Sequence, residues 1–362
     1  MPKLKIRSLE ALPLKVPLKK TFQSSLGVYT HLDVIVVHLH TERGPSGTGF
    51  TMGLGGEGGS AMAPYIENEL APFAIGQDAL APEALWNRMW APNKARMRGG
   101  LGLYSLSAVD IACWDIVAKV AGLPLNRLLG GFRQKVPVYG SGGWHTLPDS
   151  ELLEEAQEAA SLGMSGYKLK IGTNRDQERL DFLRKNMGED FILFCDANQN
   201  YNVREAVEVS SMLAEYGVAW FEEPVLADCV DDLAEVAGKS MVPTAAGENA
   251  YMRWGFREIC ERRAVGFLQP DVCRCGGVTE FVKIAHLADA FNISLSSHLA
   301  HELSVSLVGA TPRGYMVEYM EFFSPDDFTQ DFTVSDGYIH VPETPGHGVE
   351  FTADALERYK GS

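Results

Sequence analysis

At 362 residues the chain exceeds one typical domain, and its 46% hydrophobic and 22% charged residues are ordinary for a globular protein, so one large domain with a smaller companion is expected. A formal net charge of −15 argues against nucleic acid or an acidic membrane as partner, because such binding rests on clustered Lys and Arg; a small molecule is the expected partner. The opening MPKLKIRSLEALPLKVPL contains no signal-peptide core, and no later run reads as membrane-spanning, which predicts a cytoplasmic protein.

Six cysteines (Cys113, Cys195, Cys229, Cys260, Cys273 and Cys275) lie scattered in regular-looking elements and predict reduced thiols. The Cys273/Cys275 pair has no second Cys/His pair and reads as incidental. A homo-oligomer is expected.

From Lys3 to Gly59 the pattern is strand-like, with the run Val34 to His40, the turn ERGPSG and the run GTGFTM forming an antiparallel hairpin. Residues 60 to 130 read as helices, including SAVDIACWDIVAKVAG, whose apolar residues recur at helical spacing. After Val136 a unit repeats in which a short apolar strand ends in polar residues and an amphipathic helix follows. PVYGSGG, GYKLKIG, FILFCDAN, VAWFEEP, VPTAAGEN, GFLQPDV, ISLSSHL and YMVEYM give eight strand candidates, the count for a closed (β/α)₈ barrel rather than an open doubly wound sheet. In the helix after FILFCDAN, Ala206, Val209 and Leu213 share a face and Gly217 suits the end of the helix. The expected division is an α+β capping domain over 1–130, a TIM-like barrel over 131–325, and a β- and turn-rich segment over 326–362 that packs back on the cap.

Barrel active sites lie where strands end, and ionisable residues stand there in order. Lys168 and Lys170 end strand two, then Asp196, Glu222, Glu248, Asp271, His298 and Glu318 end strands three to eight. Asp196, Glu222 and Glu248 are each 26 residues apart, as successive 222−196 and 248−222 show, so they occupy one place in consecutive units. Three converging carboxylates repel one another unless a cation lies between them, and an all-oxygen set selects a hard ion such as Mg²⁺. Singly, each reads as a capping or surface carboxylate, and Glu223 competes locally with Glu222. Lys168 and Lys170, two apart on a strand, point to one face; mutual repulsion is expected to lower their pKa values toward those of usable bases. Asp271 is placed to orient His298, and Glu318 is expected to be protonated and to donate a hydrogen bond to substrate.

These motifs, YKLKIG, FCDANQN, FEEP, AGEN, QPDVCRCGG, SSHLAHE and VEYM, with AVDIACWDIVAKVAGLPLNRLLGG before the barrel, resemble the enolase superfamily and within it the mandelate racemase subgroup, over almost the whole chain. The resemblance implies Asp196, Glu222 and Glu248 as Mg²⁺ ligands. It further implies Lys170 as one acid/base with Lys168 as companion, the Asp271/His298 dyad as the other, and Asn198 and Glu318 as contacts to a carboxylate substrate. A cycloisomerase-type member is expected to carry a lysine near Asp271 and to lack the histidine. The implied chemistry is removal of a proton next to a carboxylate, giving an enediolate. Dehydration of a sugar acid is the expected outcome, with racemisation or epimerisation as the alternative.

Three other readings fail. GLGGEGG matches G-x-G-x-x-G at Gly53, Gly55 and Gly58, but it follows a hairpin strand rather than a βαβ unit, so a lid loop is expected instead of a dinucleotide site. A metal-dependent hydrolase barrel would place two histidines on the first strand, where PVYGSGGW has none. A non-catalytic barrel has no need to keep every ligand and base. Specificity is assigned to loops 21–31 and 51–60, whose Gln23, Ser24, Ser25, Tyr29, Thr30 and His31 suit a hydroxylated substrate, with His145 and Arg274 as candidates for its distal end.

Overall fold

The computed structural model describes residues 3–55 and 58–360. Three long strands, β1 (Ile6–Gln23), β2 (Val28–Thr41) and β3 (Gly47–Leu54), form an antiparallel sheet in the order β1-β2-β3. The run Leu32 to Leu39 on β2 lacks the polar alternation of a half-exposed strand because both of its faces are covered. Leu32, Val34 and Val36 belong to the core shared with the barrel, whereas Ile35, Val37 and Leu39 belong to the core under the cap helices. The cap sheet is thus one wall of two cores.

The helix Leu101–Ala121 lies against β3 so closely that a Cβ on Gly47 or Gly49 would come within 2.0 Å of the Ala112 or Ala108 carbonyl oxygen. Only glycine fits this approach. By length and composition this helix is apolar enough to cross a membrane, which the sequence reading overlooked. Packing accounts for its apolarity, since 78% of its most apolar window is buried in the fold. Two buried acids on it act as ties. Asp115 accepts hydrogen bonds from the backbone N–H of Thr48 (3.0 Å) and His347 (3.1 Å) and pairs with Lys119 at 2.7 Å. Asp110 accepts from the Thr279 N–H at 2.8 Å and hydroxyl at 2.7 Å, at the start of the barrel helix Gly277–Ala290.

All eight expected barrel strands are present: β4 (Lys135–Gly142), β5 (Gly166–Lys170), β6 (Ile192–Asp196), β7 (Val218–Glu222), β8 (Thr244–Ala246), β9 (Phe267–Leu268), β10 (Ser294–Ser297) and β11 (Gly314–Tyr319). Each pairs in parallel with the next, and β11 pairs with β4 to close the ring. The period of two along each strand stacks two layers inside it. Tyr139, Phe194, Trp220, Ala245 and Met316 make an aromatic floor, with the Phe194 and Trp220 rings 3.9 Å apart. Two residues further along their strands, Ser141, Asp196, Glu222 and Glu318 stand above it. On β5 the floor position is Gly166, where a Cβ would meet the Phe194 ring at 2.9 Å.

The helix Val203–Glu215 begins with a capping box of Asn202 and Glu205, and Gly217 follows it with φ 60°. The C-terminal segment reaches the cap, with Phe351 edge-on to Phe50 and His347 Nε2 2.6 Å from the Thr48 carbonyl. It also adds β12 (Tyr338–His340) antiparallel to the start of β4, a barrel contact that its turn-rich sequence did not announce.

Burial pushes the Asp110 carboxyl up to about 7, with the two hydrogen bonds from Thr279 offsetting only part of the cost. A folded-state pKa above the unfolded value near 3.9 contributes stability that is full below the unfolded value and is lost as pH rises through about 7. Asp110→Asn keeps an acceptor and a donor for Thr279 without the charge. Its melting temperature relative to the parent should therefore be higher at pH 8 than at pH 5; a constant difference between the two pH values would refute the assignment.

Candidate active site

The residues anticipated at the strand ends converge at one end of the barrel. Asp196, Glu222 and Glu248 bring one oxygen each within 4.8 Å of one another, all buried. Glu222 rather than Glu223 points inward. Glu223 sits at φ 39°, and its two oxygens accept from Asn249 Nδ2 at 2.9 and 3.1 Å. Burial, together with the nearby charges of Glu248 and Asp196, pushes its carboxyl well above the usual range.

Lys168 Nζ lies 2.5 Å from Glu222 Oε1, 2.8 Å from Glu318 Oε1 and 3.7 Å from Asp196 Oδ2, while Lys170 Nζ lies 2.5 Å from Asp196 Oδ2. The expected lowering of the lysine pKa values is not found. Burial does work against both ammoniums, but Glu222 and Glu318 raise Lys168 far above its ordinary value, and Asp196 raises Lys170. The repulsion between the two lysines is outweighed by carboxylates arriving from other strands.

Glu318 also departs from expectation. Burial opposes its ionisation, yet Lys168 and His298 hold its pKa well below the ordinary value. It is an acceptor, taking hydrogen bonds from Ser141 Oγ at 2.6 Å and the Leu299 N–H at 3.0 Å.

His298 follows β10 directly. Its Nδ1 is 2.7 Å from Asp271 Oδ2, which fixes the ring and leaves Nε2 facing the site, 3.1 Å from Glu248 Oε2. Burial opposes the imidazolium, but Glu248 and Asp271 outweigh it and raise the pKa. Arg274 Nε is 3.4 Å from the same Asp271 oxygen, and its Nη1 is 3.8 Å from Glu248.

A cavity of about 90 Å³ opens on this cluster. Of the sequence-derived candidates, Lys170, Glu248, His298, Glu318, Asn198, Tyr29 and Arg274 line it. Lys168 lies beneath, with no exposure, and does not line it. Gln23 and His145 do not line it either: the Gln23 carbonyl accepts from the His145 N–H at 3.0 Å, and His145 Nε2 is 3.0 Å from the Ile171 carbonyl. They tie cap to barrel rim. Tyr104, Trp144, Asn249, Met320 and Phe322 also line the cavity and were not anticipated. Ser24 and Leu26 come from the first expected lid loop and Leu54 from the second, whose residues 51–54 are the end of β3 rather than loop, so the lining is apolar as well as polar; Gly56 and Glu57 lie outside the described residues. The first loop is docked through Ser25 Oγ, which donates to the Ala197 and Asn198 carbonyls at 3.1 and 2.6 Å. A larger cavity, about 460 Å³, lies across Trp144, Met320 and Phe322, but its lysines are already paired, Lys19 with Glu321 and Lys20 with Glu155, and it contains no comparable cluster.

The triad fits a divalent cation. Glu248 Oε2 is buried and accepts no hydrogen bond of good geometry, and Glu222, next to Asp196, is pushed by burial up to about 7. Both are what a carboxylate cluster short of positive charge should show. Asp196, Glu222 and Glu248 would hold the ion, and an all-carboxylate set suits Mg²⁺.

Barrel, cap and carboxylate triad together define a Mg²⁺-dependent enzyme acting at the open end of a (β/α)₈ barrel. Residues 7–130 match the mandelate racemase / muconate lactonizing enzyme N-terminal domain and residues 151–355 the enolase C-terminal domain-like family. The chain belongs to the enolase superfamily, mandelate racemase subgroup. It is 32% identical to a 3,6-anhydro-alpha-L-galactonate cycloisomerase of Streptomyces coelicolor, covering 95% of this chain and 96% of that one. It is also 32% identical to an arabinonate dehydratase of Saccharolobus solfataricus, covering 91% of each. Among solved structures, a racemase from Streptomyces coelicolor with bound magnesium superposes with TM-score 0.94 at 31% identity, over 98% of this chain and 99% of that one.

Removing Lys168 leaves Glu222 and Glu318 buried without their cation. Lys168→Met should cost about 3–5 kcal/mol in denaturant unfolding, the usual penalty for breaking a buried pair. A loss below about 1 kcal/mol, the range of surface ion pairs, would show that this lysine does not hold the cluster together.

Proposed function

We propose that the protein dehydrates a sugar acid, an aldonate or aldarate, to a 2-keto-3-deoxy acid. The observation that carries this reading is that Lys170, ending β5, and His298, directly after β10, face one small cavity that also borders Glu248 of the triad. Asp196, Glu222 and Glu248 would hold Mg²⁺, which would supply fixed positive charge against the negative charge that develops when the α-proton leaves.

The chain's own groups do the rest. One of Lys170 and His298 can take the α-proton, because a cation on the triad would offset the charges of Asp196 and Glu248 that keep the two protonated. The electron pair of that C–H bond spreads onto the carboxylate as an enediolate. The other delivers a proton to the β-hydroxyl, whose C–O bond breaks to release water; the enol left behind tautomerises to the 2-keto acid. Asp271 keeps His298 Nε2 directed at the substrate, while Asn198 and Arg274 contribute donors along the cavity wall.

A sugar acid suits the hydrogen-bonding groups of Ser24, Tyr29, Tyr104 and Asn249 on that wall, and a relative named for dehydrating arabinonate supports the same class. A lysine and a histidine serving one carbon also suit inversion, and a solved relative is called a racemase, so racemisation of a 2-hydroxy acid is the competing outcome. Six free cysteines support a cytoplasmic setting.

The test is a panel of aldonates and aldarates with Mg²⁺, scored for 2-keto acid, alongside α-proton exchange in D₂O. Dehydration predicts keto acid from at least one member, abolished by EDTA and restored by Mg²⁺. Exchange or inversion of a 2-hydroxy acid without keto product from any member would overturn the reading in favour of racemisation. Lys170→Ala and His298→Asn should each lower turnover by about 10²–10⁴-fold, the usual contribution of a placed acid or base. Full activity in both variants would remove them from the mechanism.

A further inference from the structure

Glu222 accepts hydrogen bonds on both of its oxygens from three buried donors. Its Oε2 accepts two hydrogen bonds, from Gln269 Nε2 at 2.8 Å and from the Trp220 indole N–H at 3.1 Å, while its Oε1 accepts from Lys168 Nζ at 2.5 Å. All four residues are buried. An ionised carboxylate offers about four lone-pair sites, two on each oxygen. The two donors fill Oε2, and Lys168 takes one site on Oε1. A single site on Oε1 remains.

We propose that Trp220 and Gln269 confine Glu222 to one-oxygen coordination and thereby set the preference of the site for Mg²⁺ over Ca²⁺. Mg²⁺ is small, demands octahedral geometry and is satisfied by one oxygen per carboxylate. Ca²⁺ takes six to eight oxygens and commonly recruits both from one carboxylate. With Oε2 occupied, Glu222 has no second oxygen to offer.

The two donors are themselves fixed. Trp220 precedes Glu222 by two residues on β7, so both side chains face the barrel interior, and its indole is clamped against Phe194 (3.9 Å), Tyr139 (5.1 Å) and Phe267 (5.2 Å). Gln269 directly follows β9, and its N–H donates to the Ala246 carbonyl at 3.0 Å. Neither residue lines the substrate cavity, so both are positioning residues, and the inference holds whichever reaction the enzyme performs.

The test is calorimetric titration of the whole protein with MgCl₂ and with CaCl₂, comparing the parent with Gln269→Met, Gln269→Asn and Trp220→Phe, each checked for a cooperative melt. Loss of such outer contacts typically weakens metal binding by about 10–100-fold. Mg²⁺ affinity should fall by that order while Ca²⁺, gaining Oε2, is weakened less, so Kd(Ca)/Kd(Mg) drops by about tenfold or more. Two results overturn the proposal. One is a folded variant whose ratio stays at the parent value although both affinities fall, since general loosening weakens both ions alike. The other is a parent protein that binds the two ions equally. Trp220 belongs to the aromatic floor, so if Trp220→Phe fails to fold, the two Gln269 variants decide.

Discussion

Buried negative charge at one end of the barrel is the constraint around which this molecule is arranged. Asp196, Glu222, Glu223, Glu248, Asp271 and Glu318 are all buried there, and the permanent cations buried with them are Lys168, Lys170 and Arg274. Even with His298 protonated, six negative charges face four positive ones. A divalent ion closes that gap. Burial, with neighbouring carboxylates adding to it, pushes the carboxyls of Glu222 and Glu223 upward. The cluster is therefore balanced for a loaded state, and Lys168, touching three of the carboxylates, makes their close approach tolerable.

The sequence exposed much of this because barrel geometry converts chain position into spatial position. A charged residue two places beyond an aromatic one, as in Phe194/Asp196 and Trp220/Glu222, puts the ring in the floor and the carboxylate in the site. The 26-residue spacing then delivers Asp196, Glu222 and Glu248 to one rim. Properties set by partners across the barrel were not legible. The reading of Lys168 and Lys170 counted only their mutual repulsion along one strand, and it missed that Glu222 and Glu318 arrive from other strands to dominate Lys168. Glu318 was misjudged for the same reason. Trp144 and Tyr104 were not legible from ionisable strand ends, since one is an aromatic just past β4 and the other comes from the cap helix, where only helical spacing was read. Gln23 and His145 were drawn in by polarity alone, which does not distinguish a substrate contact from a hydrogen bond between cap and rim.

Cap and barrel are not separable layers. β2 contributes alternate side chains to two cores, and Asp110 and Asp115 tie the central cap helix to a barrel helix and to the C-terminal segment. The loops that define part of the cavity are fixed by the same kind of tie. Ser25 fastens the first loop to the backbone at Ala197 and Asn198, directly after the metal-ligand position Asp196, and Thr51 Oγ1 donates to the Cys273 carbonyl at 3.0 Å near the dyad. Residues that shape the substrate are therefore registered against residues that perform the chemistry, although they lie far apart in sequence. Change in the lid alters the walls of the cavity while leaving the charged cluster in place.

The same rim carries the strained backbone. Asn198, Gln199, Glu223, Leu299 and Ala300 all have positive φ between 39° and 66°, and each lies within two or three residues of Asp196, Glu222 or His298. Such conformations cost about 1–3 kcal/mol each for residues other than glycine, and they persist only where the surroundings fix them. Here the surroundings are specific. Asn198 N–H donates to Asp196 Oδ1 at 2.8 Å, Gln199 N–H to the Glu223 carbonyl at 2.8 Å, and Leu299 N–H to Glu318 Oε2 at 3.0 Å. The turns that pull the chain away from each strand end are thus hydrogen-bonded to the carboxylates of the site or to backbone beside them. Strain and charge gather at the rim, where the aromatic floor lies beneath them and the core shared with the cap lies beside them. The strained turns are held by the same carboxylates and backbone that form the site.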